Sequence, residues 1–472
     1  MPSTPATEPE KMSRNYRLLA VLLLLPALAA LASTWLLDHA KTHKSLFTTT
    51  NMVGPTTQSL LRGNGLTLCT EDMGTLGNPI CFHASHMPVL AMTVALGIRL
   101  LGDRYLPVAF FKTVLLLLPV GVAIVLVWRR LPRSRWRRAA IVLLLLAPFA
   151  IPASLADVAN MLVEEGYSYS FLTLAAALLF FGQWNPPAPK AWAHALLFAI
   201  ALDGLYLSKS AMLPAVIVLA AGFLLLQRRA SPRLLVIALV AAAPLGWAVY
   251  QHHASGRYTI GTSLDGINLH KGNNAEFLAN YPPLPGDSLD HLDPALNHGL
   301  HFTDEWSFNN YHRQAALDYL RTHPRQTLQG DARKLFVLFF SVQKYGSTAT
   351  HGAARWIEEI GMAVFRLMLW AAIGCSVSVL LRPANKASPA LRVCSGIFLA
   401  LVAACAAPYL AGFAYTRHIS ILIYPAALMC CRMLAEDHRS HEYRASGERS
   451  RELQQSPKLQ QNPGITLTPA AE

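Results

Sequence analysis

The sequence predicts an all-α polytopic membrane protein with about ten transmembrane helices, and three observations lead to this prediction. Of the 472 residues, 53% are hydrophobic and only 14% are charged, whereas a soluble domain carries about 25% charged residues. The mean hydropathy is +0.32. Several apolar runs approach the roughly 20 residues that a helix needs to cross a bilayer.

The first apolar run, 17–37, is too long and too rich in leucine for the core of a signal peptide, and it lacks a small-residue cleavage site. It is therefore interpreted as a true span. The predicted spans are 17–37, 106–128, 139–157, 167–184, 190–207, 211–227, 233–250, 358–381, 392–412 and 418–434.

The positive charges of the chain flank these apolar runs. With ten spans, the five basic segments all fall on one side of the membrane, which predicts that this side is the cytoplasm and that both termini lie there. The segments are 1–16, 129–138, 228–233, 382–392 and the tail 435–472. The net charge of +13 is thus a topology signal, and the absence of a clustered basic face argues against nucleic-acid binding.

Two further apolar stretches, 87–103 and 334–342, are interpreted differently. The apolar run of 87–103 is short, and Arg99 and Asp103 interrupt its end. If it crossed the membrane, the arginine-rich segment 129–138 would move outside. Both stretches are therefore predicted to be juxtamembrane or re-entrant helices at the outer interface.

The same topology leaves two large segments on the outer, periplasmic side. One is the loop 38–105 within a transmembrane module 17–250, and the other is the region 251–357, expected to be mostly helical or irregular. Two C-terminal parts follow, the helices 358–434 and the tail 435–472, whose composition predicts disorder.

Local patterns within these outer segments make two predictions. A helix is expected from Glu305 to His323, because acidic residues stand near its start and a proline follows its end. Of the seven cysteines, Cys69 and Cys81 share the first outer loop. They are expected to form a disulfide if this loop faces an oxidising compartment.

Three cationic or titratable residues stand at the outer ends of spans. Lys209 lies in "LYLSKSAMLP", and Arg417 and His418 lie in "FAYTRHISILIYP". A lysine near a helix end is either an interfacial anchor or a functional group. Arg417 breaks the positive-inside pattern, which indicates an anionic partner, and a guanidinium suits a phosphate.

Acidic residues also stand on the outer side. Glu164 and Glu165 precede "GYSYS" at the start of the fourth span, where they either pair with Lys209 or Arg417 or act on a substrate. Glu71 and Asp72 lie between the two loop cysteines. A carboxylate at a water–membrane interface is able to act as a general base on a hydroxyl group, although most such acids are solvated surface charges.

Several segments, in order, resemble motifs of one family. The segments are "QSLLRGNGL" (58–66), "LLGD" (100–103), "LSKSAMLP" (207–214), "NLHKGNNAEF" (268–277) with "AALDYLRTHPRQTL" (315–328), and "YTRHISILIYP" (415–425). They are similar to elements of the GT-C glycosyltransferase superfamily, specifically the relatives of dolichyl-phosphate-mannose–protein mannosyltransferases and bacterial aminoarabinose transferases. The resemblance rests on the order of the motifs along most of residues 20–430.

The resemblance implies an inverting transfer of a sugar from a polyprenyl-phosphate donor to a hydroxyl of an envelope glycan such as lipopolysaccharide, a lipid or a protein. The active site would face the periplasm of a bacterial inner membrane. Lys209, Arg417 and His418 are then expected to bind the donor phosphate. Contacts to the acceptor or sugar are assigned to Asn273, Asn274, Glu165 and Tyr415.

The sequence departs from the family in one respect that affects catalysis. The family has an acid after the first span, but 48–65 contains no Asp or Glu. Either Glu71 or Asp72 serves as the catalytic base, or the activity is altered or lost. The need for a divalent cation stays open, and no metal-type spacing of Cys and His is present.

Two alternatives to an enzyme remain at this point. One is a transporter or flippase of a lipid-linked or anionic substrate, which intramembrane charge would also fit. The sequence shows neither the paired repeats nor the broken helices that transporters often carry. The other is a non-catalytic member of the family. The stretch "KGNN" (271–274) is interpreted as a tight turn that either contacts sugar hydroxyls or is a plain surface turn.

Overall fold

The structure is a computed structural model of the full chain. It describes residues 53–75, 78–131, 164–182, 187–282, 301–343, 353–383 and 387–436, together with the isolated positions 28, 31–32, 138–139, 141–142, 144–145 and 184. The predicted spans 17–37 and 139–157 lie mostly outside these residues, as does the tail beyond 436. The chain divisions proposed from the sequence stay predictions.

The first outer loop contains a β-hairpin that the sequence analysis did not predict. After helix α1 (Val53–Leu61), strands β1 (Leu68–Thr75) and β2 (Asn78–Phe82) pair antiparallel. Cys69 faces Cys81 across the hairpin, and the two are joined by a disulfide.

Helix α2 (Pro88–Leu101) follows the hairpin and has only 14 residues. The expectation that 87–103 forms a short helix, too short to span, is therefore confirmed. Its position relative to a bilayer stays a prediction.

Long apolar helices form the body of the described structure, and six segments in this part of the chain are long and apolar enough to cross a membrane. The helices are α3 (Tyr105–Arg130), α4 (Glu165–Phe181), α5 (Ala188–Ser208), α6 (Leu213–Leu226), α7 (Ala230–Ser255), α12 (Ala353–Leu381), α13 (Pro389–Ala411) and α14 (423–436). Helices α4 and α6 match predicted spans but fall below that length. The all-α, multi-span class is confirmed, while the count of ten is not reached within the described residues.

Helix α4 lies at the centre of the bundle. Nearly every residue from Glu165 to Phe181 is buried, and α4 packs against both α3 and α5. A helix that is apolar on all sides is one that other helices surround. Because α4 is enclosed in this way, the charged residue at its N-terminus is held inside the protein at one end of the bundle.

Four shorter helices make up the described part of 251–357, which we call the outer region after its predicted location. They are α8 (Asp265–Lys271), α9 (Ala275–Asn280), α10 (Glu305–Thr322) and α11 (Pro324–Phe339). The predicted helix at Glu305 is confirmed, and its start is fixed by Asp304, which accepts the N–H groups of Trp306 and Ser307. Of the stretch 334–342, residues 334–339 form the last part of α11, which ends at Phe339.

The turn at 271–274 packs tightly against the chain beyond α13. A Cβ atom on Gly272 would lie 1.8 Å from the carbonyl oxygen of Gly412, so only glycine permits this backbone approach. The outer region is thereby fixed against the segment that leads from α13 to Arg417.

Candidate functional site

Three cationic or titratable side chains converge on one carboxylate oxygen. The Nζ atom of Lys209 lies 2.6 Å from Oε1 of Glu165, the Nε atom of Arg417 lies 3.9 Å from it, and Nε2 of His418 lies 4.0 Å from it. The side chains are largely buried, with 8% of Glu165 and 18% of Lys209 exposed. We call these four residues the cation cluster.

The cluster is assembled from chain segments that are distant in sequence. Glu165 is the first residue of α4, and Lys209 stands between α5 and the turn that opens α6. Arg417 and His418 stand at the entrance to α14, where a 3₁₀ turn begins. The structure thus brings Lys209 and Arg417 to the same carboxylate, while their binding of a donor phosphate stays a prediction. Of the two roles that the sequence left open for Glu165, the structure shows the pairing with a cation.

Aromatic rings fix the cluster from the side of α13. The ring of Tyr409 stacks on His418 with centroids 4.0 Å apart, and the ammonium of Lys209 lies 5.6 Å from the Tyr409 centroid. The guanidinium of Arg417 lies 4.7 Å from the ring of Tyr415, close enough for a cation–π contact.

The orientation of His418 is set by a backbone contact. The N–H of Tyr415 donates to Nδ1 of His418 over 3.1 Å. A neutral imidazole that accepts at Nδ1 carries its proton on Nε2, and Nε2 is the atom that faces Glu165. His418 is thus presented as a hydrogen-bond donor to an anion in the cluster.

The protonation of Lys209 follows from its neighbours. Burial alone would lower the pKa of Lys209, but the carboxylate of Glu165 and the nearby Tyr409 and Glu164 outweigh it and raise that pKa above its ordinary value. Lys209 therefore stays cationic at neutral pH.

Two further residues lie beside the cluster, His86, which was not assigned a role from the sequence, and Glu164. Burial and the charge of Lys209 lower the pKa of His86 to about 4, so this imidazole is neutral. Glu164 is half-buried beside Lys209 and Glu165, and the backbone amide of Met87 hydrogen-bonds its carboxyl group. The only sequence signal for His86 is its place directly before an amphipathic helix that begins with a proline, which is too general to identify a site residue.

The segment that carries His86 is held by the outer region. Oε2 of Glu305, the first residue of α10, accepts the N–H groups of His83 and Ala84 at 3.1 and 3.2 Å. The side chain of Gln251 donates to the carbonyl of His83 over 3.1 Å. Helix α10 thus positions the strand-to-helix connection that brings His86 and Met87 to the cluster.

The side chains of Asn273 and Asn274 stabilise the turn in which they lie. The Nδ2 atom of Asn273 donates to Leu269 and Ala411 carbonyls at 2.7 Å each. The side chain of Asn274 caps α9 by accepting from Phe277 N at 2.7 Å. Both asparagines are buried and stabilise the turn, so it is not a plain surface turn. The contact with a sugar stays a prediction.

A fully buried lysine of α11 reinforces the same contact. Nζ of Lys334 donates to the carbonyl of Leu410 over 2.9 Å, to Asp331 over 3.0 Å and to Asn273 over 3.3 Å. Because a buried ammonium needs several acceptors, this bond set ties α11 and the 271–274 turn to the end of α13.

The remaining assignments from the sequence are untested. Glu71 and Asp72 lie on β1, but their side chains are outside the described part of the structure. Their catalytic assignment stays a prediction. Within the described residues, no group of three or more His, Cys, Asp and Glu side chains is arranged to hold a metal ion.

The fold and the cluster together define a multi-pass, all-α membrane protein with a cationic site at one end of its helix bundle. No protein-family profile and no curated protein matches the chain.

Two solved structures are similar to it. Archaeal oligosaccharyltransferase AglB from Archaeoglobus fulgidus, in complex with an inhibitory peptide and a dolichol-phosphate, shares 11% identity and a TM-score of 0.41 over 91% of this chain and 51% of its own. ArnT from Cupriavidus metallidurans in the apo state shares 12% identity and a TM-score of 0.35 over 88% of this chain and 77% of its own.

The chain therefore spans about half the length of the oligosaccharyltransferase that it matches. At these identities and TM-scores the similarity does not determine the chemistry of the site, which follows from its own side chains.

Proposed function

We propose that the chain is a membrane glycosyltransferase that transfers a sugar from a polyprenyl-phosphate donor to a hydroxyl group. The acceptor would be an envelope glycan such as lipopolysaccharide, a lipid or a protein, and the transfer would invert the anomeric centre. The reaction would take place on the periplasmic face of a bacterial inner membrane.

The convergence of Lys209, Arg417 and His418 on a single anionic oxygen carries this proposal. Oε1 of Glu165 stands where an oxygen of a bound phosphate would meet the same donors. Two permanent cations and one neutral N–H donor suit a phosphodiester, because charge-assisted hydrogen bonds to phosphate are stronger than neutral ones. At the end of an apolar bundle, such a group would lie at the depth of a lipid headgroup.

The same arrangement suits the chemistry of the leaving group. When the bond between the anomeric carbon and the phosphate oxygen breaks, its electron pair stays on the phosphate, which gains negative charge. Fixed cations and N–H donors stabilise developing charge without having to reorganise. Lys209 and Arg417 are held in place by ring contacts with Tyr409 and Tyr415, which supports this role.

Deletion of the gene tests the proposed function. Mass spectrometry of the envelope glycolipids, glycans and proteins should reveal one component that lacks a sugar in the deletion strain. Accumulation of unmodified donor on the inner leaflet would instead indicate a flippase and would contradict the proposal.

Complementation with variants makes the same test specific to the cluster. Arg417→Ala should fail to restore the missing sugar, because a charge-assisted phosphate contact contributes about 1.5–3 kcal/mol. Arg321→Ala is the matched control, since Arg321 is 70% exposed in the outer region and its pairing with Asp318 contributes little. If Arg417→Ala complements as well as wild type, the phosphate role of Arg417 is wrong.

A further inference from the structure

Two consecutive acids stand at the cluster, and the structure treats them differently. Glu165 is tied to Lys209 at 2.6 Å. Oε1 of Glu164 is buried and has no hydrogen-bond partner among the described residues. Since a buried acceptor without a donor is rare in folded proteins, this oxygen of Glu164 calls for a partner that the described residues do not supply.

The carboxyl group of Glu164 is held in position. The backbone amide of Met87, at the start of α2, hydrogen-bonds it. The charged groups that act on it are Lys209 at the end of α5, Glu165 next in the chain, and Asp265 on α8. Arg417 and His418 approach Glu165 from the side of α14, and the neutral His86 lies beside Lys209 and Glu165.

We propose that Glu164 is the catalytic base, and that its free Oε1 atom accepts the proton of the acceptor hydroxyl. This inference rests on the proposed function. The orphan oxygen belongs to a carboxyl group near Lys209, one of the two cations that would hold the donor phosphate. A hydroxyl bound there would donate its hydrogen to Glu164 and face the anomeric carbon next to that phosphate.

The reaction step then balances as follows. The acceptor oxygen forms a bond to the anomeric carbon while its proton moves to Oε1 of Glu164. The bond between that carbon and the phosphate oxygen breaks, and its electron pair leaves with the polyprenyl phosphate, which is held by Lys209 and Arg417. Glu164 returns the proton to water, so that the products are the glycosylated acceptor, polyprenyl phosphate and one proton.

Glu165 does not suit the role of base, because its oxygen already accepts from Lys209 and faces Arg417 and His418. The effects on the pKa of Glu164 are different. Burial raises this pKa to about 8, Lys209 offsets the increase only in part, and the charge of Glu165 adds to it. A base is most effective when its pKa lies near the working pH. Glu164 also supplies the acid that the segment 48–65 lacks.

The test uses the full-length protein in lipid nanodiscs and two readouts. The first is the affinity for undecaprenyl phosphate, which reports on the cation cluster. The second is the rate at which the purified protein restores the missing sugar in membranes of the deletion strain, which contain both unused substrates, between pH 6 and pH 9.

Glu164→Gln is the central variant, because an amide keeps the shape and neutral charge of the protonated acid but cannot take up a proton. It should bind undecaprenyl phosphate as wild type does and transfer sugar at least about 100-fold more slowly. Glu164→Asp, which keeps a carboxylate, should restore part of the rate. Glu276→Gln, at an exposed acid of α9, should match wild type in both readouts.

The pH profile separates catalysis from a structural effect. The wild-type rate should rise towards pH 8 as Glu164 ionises, and this rise should be absent in Glu164→Gln. If Glu164→Gln transfers at the wild-type rate while Glu71→Gln or Asp72→Asn does not, the base lies in the first loop and the assignment is overturned. If wild type binds no undecaprenyl phosphate and the deletion strain lacks no sugar, the proposed function fails and this assignment fails with it.

Discussion

Lys209 and Glu165 form a largely buried ion pair, 2.6 Å long, between two helices of the bundle. The pair joins the N-terminus of α4 to the end of α5, with Arg417 and His418 beside it. An ion pair in this setting has one of two roles. It either stabilises the fold, or it keeps the cations bound to Glu165 until a substrate anion arrives. The two roles make different predictions for variants of each partner.

Removal of the ammonium alone should destabilise the protein. Lys209→Met leaves the carboxylate of Glu165 buried without its nearest partner, which is expected to reduce the free energy of unfolding by about 3 kcal/mol. The double variant Lys209→Met/Glu165→Gln should recover most of this loss, because no unpaired charge remains. Thermal unfolding in detergent measures both.

Lys190→Met is the matched control for this comparison, since Lys190 is exposed at the start of α5 and should leave the melting temperature unchanged. A single variant as stable as wild type would show that the pair contributes no buried electrostatic energy.

The stability of the protein should fall with rising pH because of Glu164. Its pKa is raised by burial to about 8 in the folded state, above the ordinary value of 4.5. Below about pH 4.5 the acid is protonated in both states. As the pH rises from there towards 8, the unfolded chain ionises while the folded chain keeps the proton, and stability is lost.

Glu164→Gln removes this dependence, since an amide does not titrate. The melting temperature of the variant relative to wild type should therefore be higher at pH 8 than at pH 5. An equal difference at both pH values would mean that Glu164 ionises normally in the folded protein.

The contact between α10 and the first loop should keep residues 83–87, the segment before α2, in a fixed conformation. Glu305→Ala removes the acceptor of the His83 and Ala84 amides and leaves these donors unsatisfied, at a cost of about 1–3 kcal/mol each. Hydrogen exchange of 83–87 should accelerate, while that of α13 should not. Glu359→Ala, on α12, is the control, and equal exchange in both variants would remove the positioning role of Glu305.

The disulfide between Cys69 and Cys81 should be present in the protein isolated from membranes under non-reducing conditions. Peptide mapping without reduction should recover the two cysteines in one linked species. Reduction should lower the free energy of unfolding of the outer loop by about 3 kcal/mol, as expected for a closed loop of this length. Recovery of both as free thiols would contradict an oxidising location for this loop.

The helical fold and the choice of Lys209 and Arg417 as candidate residues were predictable from sequence, because both leave local signals. Apolar runs of sufficient length predict helices such as α3 and α13. A cation that breaks the positive-inside pattern marks a position where charge has a function, and this signal identified Arg417.

The rest of the site depends on contacts between distant segments, which no local pattern encodes. Glu165 meets Lys209 across 44 residues of sequence, and Glu305 meets His83 across 222. The sequence allowed Glu165 to pair with a cation but did not select this over a sugar contact. The β-hairpin was missed because polar residues of strand β1, such as Glu71 and Asp72, break the apolar alternation typical of strands.

The binding of undecaprenyl phosphate to the purified protein tests the cation cluster most directly. The dissociation constant should be measured in nanodiscs for wild type, Lys209→Met/Glu165→Gln and Arg417→Ala, with Arg321→Ala as the control. Loss of one charge-assisted contact should weaken binding by about 10- to 100-fold in each cluster variant and leave the control unchanged. Equal affinity in all four proteins would contradict a phosphate site at Lys209 and Arg417.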